Sequence, residues 1–238
     1  MKKLFIISGG TGREWEVSLT SGENVLGMLQ QSGVEHESMT VNKDGSWTYQ
    51  NEALSEKEAL SILKEKNALV FQLIHGTYGE DGSLVALLEE NNISYIGSSS
   101  AVMELTIDKH RTEKILQENI IATTSSWVIK NSSELEGLQI NFPAIVKPKN
   151  EGSSIALCKA KNMEELVGFL EKVGSQYGEM LVQDFVMGRE FTCGVVELNG
   201  QNTSLAPTEV ILTKGDMFDY EAKYTVGGSN EVTPADID

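Results

Sequence analysis

The sequence predicts an α/β protein in which a parallel-sheet amino-terminal part is followed by a mixed α+β part. Three observations carry this. Lys3 to Ser8 is a short apolar run that passes through Gly9-Gly10-Thr11-Gly12 into Glu16 to Gln31, where Val17, Val25, Met28 and Leu29 recur at helical spacing. The same rhythm of strand, polar glycine-containing loop and helix returns between Ala68 and Glu89. Later in the chain the runs Phe191 to Leu198 and Leu205 to Thr213 alternate with period two, as strands of an antiparallel sheet do.

The chain of 238 residues, 40% hydrophobic and 23% charged, is long enough for one large or two modest domains. Its net charge of -16, with no Lys/Arg cluster to offset it, argues against nucleic acid and against an anionic membrane surface as partners. Met1-Lys2-Lys3 is followed by too short an apolar run for a signal peptide, and no run approaches a membrane span, so a cytoplasmic protein is expected. Cys158 and Cys193 lie in apolar, strand-like surroundings without a CxxC or Cys/His spacing and read as reduced core residues.

Taken in order, the chain shows a second strand at Glu35 to Val41, a turn at Asn42 to Ser46, an amphipathic helix at Ser55 to Lys64 and a buried strand at Ala68 to Ile74. The loop His75 to Gly82 then falls at the carboxyl end of a strand, where open α/β sheets place their sites, and reads either as a site or as a solvated loop with a helix cap. Leu84 to Glu89 is helical, Ile93 to Ile96 a short strand, and Gly97 to Ser100 breaks the chain near the end of a first domain. Thr106 to Gln117 reads as one helix, Ser126 to Ile129 and Ala144 to Lys147 as strands, Asn162 to Lys172 as a helix and Met180 to Val186 as an apolar strand.

The segment Pro143 to Ile155 is the most informative. An apolar strand ends in Lys147-Pro148 and opens into a loop with Gly152, Ser153 and Ser154 before an apolar strand, Ile155 to Cys158, resumes. A lysine beside a turn rich in backbone donors suits a polyphosphate, while the same residues also suit an ordinary hairpin with a snorkelling lysine. The glycine turn after the first strand is not a full GxGxxG, because Trp15 stands at the third glycine position.

Set side by side, these pieces resemble the D-alanine–D-alanine ligases of the ATP-grasp superfamily. The carriers, in that family's order, are Gly9 to Leu19, His75 to Gly82, Gly97-Ser98 with Ser100-Ala101, Asp108-Lys109, Val146 to Ser154, Gly188 to Thr192 and Tyr220 to Tyr224. The resemblance implies a parallel-sheet domain over 1–104, a central ATP-grasp lobe over 105–186 and part of a carboxyl-terminal lobe over 187–238. It implies joining of two D-alanines at the expense of ATP through an acyl phosphate, in peptidoglycan precursor synthesis, with Mg²⁺ or Mn²⁺. A homodimer through the first domain is implied likewise. A non-catalytic nucleotide-binding or interaction module on the same scaffold is the alternative.

By the same resemblance Lys109, Lys147 and Lys223 grip the ATP phosphates, Ser153 and Ser154 lie in a lid loop, Gln183 to Val186 is the adenine hinge and Glu190 takes the ribose hydroxyls. Glu14, Ser153 and Tyr224 correspond to a hydrogen-bonded trio that orients the first D-alanine, with Val17 and His75 beside that amino acid. Some positions depart from the pattern: Gln183 replaces an acid, Thr106-Ile107 replaces a small residue and methionine, and Ala156 replaces a glycine. The metal ligands and an arginine of the family follow the Tyr224 loop and have no counterpart up to residue 238, where Asp236 and Asp238 read as an acidic tail. The expectation is that these 238 residues hold no metal set and have little or no ligase activity by themselves.

Overall fold

The computed structural model describes residues 2–213, 215, 217–225 and 227–237. The chain forms two compact units, Met1–Thr123 with Lys149–Gly152, and Thr124–Pro148 with Ser153–Asp238.

In the first unit the order is β1 (Lys3–Gly9), α1 (Trp15–Gln31), β2 (His36–Val41), β3 (Trp47–Tyr49), β4 (Glu52–Leu54), α2 (Glu56–Glu65), β5 (Ala68–Gln72), α3 (Ser83–Glu90), β6 (Ser94–Tyr95), α4 (Ser100–Ile107) and α5 (Lys109–Glu118). The sheet runs β4-β3-β2-β1-β5-β6, parallel from β2 through β6 and antiparallel at β3 and β4. The apolar central strands follow from burial on both faces. Phe5, Ile7, Val70, Leu63, Leu84 and Leu88 pack with Trp47 in one core, each large aliphatic contributing roughly 1.5–3 kcal/mol on leaving water. Helix α2 begins with a capping box, Ser55 accepting from the Glu58 N–H while the Glu58 carboxylate accepts from the Ser55 N–H. The short β3–β4 hairpin escapes period analysis because each strand has three residues; Gln50 and Asn51, both at positive φ, make its turn.

The expected helix from Thr106 to Gln117 is two helices. Asp108 leaves helical geometry at φ -78, ψ 96, and its side chain accepts from the Arg111 N–H at 3.0 Å, so it starts α5 rather than lying inside one long helix.

In the second unit follow β7 (Ser126–Ile129), a 3₁₀ turn (Ser132–Leu135), β8 (Ala144–Pro148), β9 (Cys158–Ala160), α6 (Met163–Tyr177), β10 (Met180–Asp184), β11 (Glu190–Thr192), β12 (Val195–Leu198), β13 (Gln201–Ser204), β14 (Thr208–Leu212), α7 (Tyr220–Tyr224) and β15 (Ser229–Val232). One sheet has the order β7-β10-β8-β9, all antiparallel, and α6 covers one of its faces through Leu166 and Leu170. A second sheet is β11-β14-β15, and β12 and β13 form a two-stranded sheet among the described residues.

Three expectations change here. The strand after the 149–154 loop begins at Cys158, not Ile155, because Ser153, Ser154 and Ala156 adopt φ of +46, +56 and +50 and form a left-handed turn. The run Phe191 to Leu198 is split between two sheets at Cys193-Gly194, and Asn199-Gly200 turns β12 back onto β13. Both cysteines are free thiols, and Cys158, half-buried, packs against the core under α6, but Cys193 is exposed rather than a core residue.

Candidate active site

In the first unit β1 and β5 are adjacent and parallel, so the loops after them open at the same sheet edge. Helix α1 is fastened to both. The Ser18 hydroxyl accepts from the Gly9 N–H at 2.8 Å and donates to the Leu73 carbonyl at 2.7 Å. One turn further on, Ser21 Oγ lies 3.1 Å from His75 Nε2. Glu14, immediately before α1, is only 2% exposed. Its carboxylate lies against Gly76 so closely that a Cβ there would be 2.4 Å from Oε2. Gly76, at φ +67, also donates its N–H to Glu80 at 3.0 Å, and Asp81 accepts from the N–H groups of Tyr78 and Ser83, each at 2.9 Å. The two acids that follow His75 therefore organise the loop backbone. Val17, one turn into α1 from Glu14, is half-buried.

Lys109 belongs to the same unit. Its ammonium donates to the carbonyls of Lys149, at 3.2 Å, and Glu151, while the Lys149 ammonium pairs with Asp108 at 3.1 Å. Burial of Asp108 works against its charge, but the Arg111 N–H and Lys149 outweigh it and hold the carboxyl below the ordinary range. Glu151 is shifted the other way. Burial, with Glu14 adding to it, overcomes the attraction of Arg13 and Lys109 and raises its pKa.

In the second unit, strand register decides which side chains share a face. Ala144, Val146, Ala160, Met180 and Val182 point to α6 and form the core there. The alternate residues therefore face the other way, and pairing of Lys147 with Leu181, and of Ile145 with both Gln183 and Lys159, gathers Lys147, Gln183 and Lys159 on that second face. Gln183 is buried, and its amide donates to Thr124 Oγ1 at 3.1 Å.

Lys159, the chain from Phe185 to Glu190 and β14 residues Glu209 to Leu212 line a cleft of about 460 Å³. Lys159 Nζ stands 3.8 Å from the centre of the Phe185 ring. Val186 and Glu190 lie on the rim, and Arg189 braces it through two 2.6 Å bonds to Glu209. Apolar walls, a lysine, a carboxylate and the neighbouring Gln183 and Lys147 together fit a planar base with a polar edge and an anionic tail. Elsewhere in this unit Ser153 Oγ and Tyr224 OH are 2.6 Å apart, Ser154 Oγ donates to the Phe218 carbonyl at 2.9 Å, and Lys223 Nζ lies 5.1 Å from the Phe218 ring centre.

The structure thus groups Glu14, Val17, His75 and Lys109 in one unit, and Lys147, Ser153, Ser154, Gln183, Val186, Glu190, Lys223 and Tyr224 in the other. Lys159 and Glu209 escape sequence reasoning, whereas Phe185 and Arg189 fall within the expected segments 183–186 and 188–192; the signal that finds the first two is the pairing register of β8 with β9 and of β11 with β14. Among the described residues no three or more His, Cys, Asp or Glu side chains are arranged to hold a metal ion. Asp238, one of the two aspartates of the tail, lies outside the described residues. Among the described residues no helix is long and apolar enough to cross a membrane.

The parallel-sheet unit and the antiparallel lobe are those of an ATP-grasp enzyme. A sequence profile described as the D-ala D-ala ligase C-terminus matches residues 106–238. A D-alanine–D-alanine ligase of Fervidobacterium nodosum is 32% identical over 99% of this chain and 75% of its own, and one of Citrifermentans bemidjiense is 34% identical over 98% and 70%. Among solved structures, the VanG D-Ala:D-Ser ligase of Enterococcus faecalis matches with a TM-score of 0.77 and 26% identity over 100% of this chain and 77% of that one. The chain belongs to the D-alanine–D-alanine ligase family.

Proposed function

We propose that this chain binds ATP and D-alanine and serves the ATP-dependent joining of two D-alanines, a step of peptidoglycan precursor synthesis in the cytoplasm. The observation that carries the reading is the second-unit face bearing Lys147, Gln183 and Lys159 beside the cleft of Val186 and Glu190. Gln183 and the backbone up to Val186 hold the adenine edge, Glu190 the ribose, and Lys109, Lys147, Ser153, Ser154 and Lys223 the phosphates. Glu14, Val17, His75, Ser153 and Tyr224 bind and orient the first D-alanine. The reading keeps the division at 104 and 186 and a homodimer through the first part.

In the proposed reaction a carboxylate oxygen of the first D-alanine attacks the γ-phosphorus as its bond to ADP breaks. The amine of the second D-alanine then attacks the acyl carbon, loses a proton and expels phosphate. An anion attacks an anion in the first step, so lysines and backbone N–H groups supply the charge stabilisation. The acyl phosphate has to be kept from water, and the Ser153 to Tyr224 hydrogen bond supports a lid role for both segments.

Equilibrium titration of the chain with ATP, with and without D-alanine, tests this. Lys147→Met is expected to weaken ATP binding at least about tenfold, given the worth of charge-assisted hydrogen bonds. Glu14→Gln and Tyr224→Phe are expected to weaken D-alanine while sparing ATP. ATP binding indifferent to Lys147 would overturn the nucleotide assignment, and ATP binding with no response to D-alanine would favour a non-catalytic nucleotide-binding module instead.

A further inference from the structure

The two nitrogens of His75 stand in different situations. Nε2 lies 3.1 Å from Ser21 Oγ, and Nδ1 has no hydrogen-bond partner among the described residues. The ring is half-buried at the carboxyl end of β5, and the chain on both sides of it is fixed. Upstream, Leu73 donates its N–H to Ile7 at 2.7 Å and gives its carbonyl to Ser18 at 2.7 Å; downstream, Gly76 donates to Glu80 at 3.0 Å.

Ser21 itself is held as firmly. It lies on the same helix as Ser18, three residues on, and residues three apart share a face. Ser18 is fully buried between the ends of β1 and β5, which fixes the rotation of α1 about its axis. Gly22 brings the helix so near β1 that a Cβ there would stand 2.8 Å from the Ser8 side chain. Ser21 can hardly slide or turn away from His75, and the imidazole has one nitrogen restrained and one left to face a ligand.

We propose that Ser21 is a positioning residue for the D-alanine subsite: its hydroxyl fixes the ring plane and tautomer of His75 so that Nδ1 is the nitrogen offered to the substrate carboxylate. The carboxylate half rests on the function proposed above, whereas the anchoring half does not. A carboxylate accepts, so Nδ1 has to carry a proton, and a neutral ring then presents Nε2 as the acceptor of the Ser21 hydroxyl proton. With Ser21 removed, both neutral tautomers become accessible and the ring turns freely about its side-chain torsions.

The test uses the whole 238-residue chain labelled with ¹⁵N-histidine. There are only three histidines to assign. In the unaltered protein the His75 nitrogens are expected to resonate as a single tautomer, with Nδ1 protonated. Ser21→Ala should move both resonances toward their averaged positions, and Ser21→Thr, which keeps the hydroxyl, should restore them. D-alanine added with ATP should shift Nδ1 more than Nε2, and Ser21→Ala should weaken the D-alanine midpoint about three- to tenfold while leaving that for ATP unchanged, the range expected for one hydrogen bond. Unchanged nitrogen shifts in a well-dispersed Ser21→Ala spectrum, or failure of threonine to restore them, would overturn the anchor. An intact anchor with no Nδ1 response to D-alanine would overturn the carboxylate assignment alone.

Discussion

Gly76→Ala separates what the site costs in stability from what it needs in geometry. Gly76 sits at φ +67, and a Cβ there would be 2.4 Å from Glu14 Oε2. Gly33, after α1, has nearly the same φ of +66 but nothing within 4 Å of the added carbon. Both substitutions place an L-residue in the left-handed region at about 1–2 kcal/mol, partly offset by the roughly 0.4–1 kcal/mol that alanine removes from unfolded-state entropy. Each variant should therefore lose about 1 kcal/mol, or about 4 °C in Tm, read from the fluorescence of the buried Trp47. Only Gly76→Ala makes the Glu14 carboxylate retreat, by about 1 Å, to the ordinary contact that begins at 3.4 Å. That is the far end of a flexible side chain, so the retreat costs little stability, but a displacement of that size can cost a site on the order of 10²-fold. D-alanine binding, titrated in the presence of ATP, is expected to fall at least about tenfold in Gly76→Ala and to stay unchanged in Gly33→Ala. Equal D-alanine binding by the two variants would refute the place given to Glu14. A loss of more than about 3 kcal/mol confined to Gly76→Ala would refute the argument that Glu14 yields cheaply.

Glu37 is hemmed in by Lys3 at 2.5 Å, Lys66 at 3.2 Å and the Tyr49 hydroxyl. Burial alone would raise its pKa, but these three partners outweigh that and pull it down to about 2. A depressed carboxylate gives stability that is fully present above its unfolded pKa of about 4.5 and is lost as pH falls toward 2, so Glu37→Gln should cost roughly 1–2 kcal/mol near pH 7 and flatten the acid limb of an unfolding curve; an unaltered acid limb would count against it. Asp108→Ala should cost about 1 kcal/mol or more and speed amide exchange at Arg111, while Asp108→Asn should keep the cap and lose only the Lys149 pairing. Identical behaviour of the two would show that the cap is not what starts α5. Ala156→Gly should stabilise the second unit by up to about 1 kcal/mol by relieving a φ of +50, measured by urea unfolding followed at Trp127, and destabilisation would refute the strain assigned there.

Much of the first unit is legible because its local signals and its fold agree. The apolar strands at Lys3 and Ala68, the glycine loops after them and the Ser55 capping box all point to one answer. The helix expected from Thr106 to Gln117 runs across the break between α4 and α5 because Asp108 suits a helix surface as well as a cap; only its hydrogen bond to the Arg111 N–H marks the start of α5. The split of Phe191 to Leu198 is hidden for a different reason. Alternation reports which side a residue faces but not which strand it pairs with, and here the partner changes from β14 to β13 at Cys193-Gly194. The Asn199-Gly200 turn is the local signal that could have revealed it. The same limit explains the cleft: Lys159 and Glu209 become neighbours of Glu190 only through register, which no window of sequence contains. Ala156 is the converse case, where a departure from the glycine that the resemblance implies coincides with a residue in the left-handed region.

The four residues Lys149–Gly152 belong to the first unit although the chain on either side of them belongs to the second. Their carbonyls hold the Lys109 ammonium, and Lys149 neutralises Asp108. A chimera joined at residue 123 would therefore combine a Lys109 from one parent with a loop from the other, leaving two lysines and an aspartate to find strangers as partners. Exchange of the first unit between relatives has to carry residues 149–152 along with it, so that two distant stretches are inherited as one piece and the natural seam for recombination is not the one that a linear map of the chain suggests.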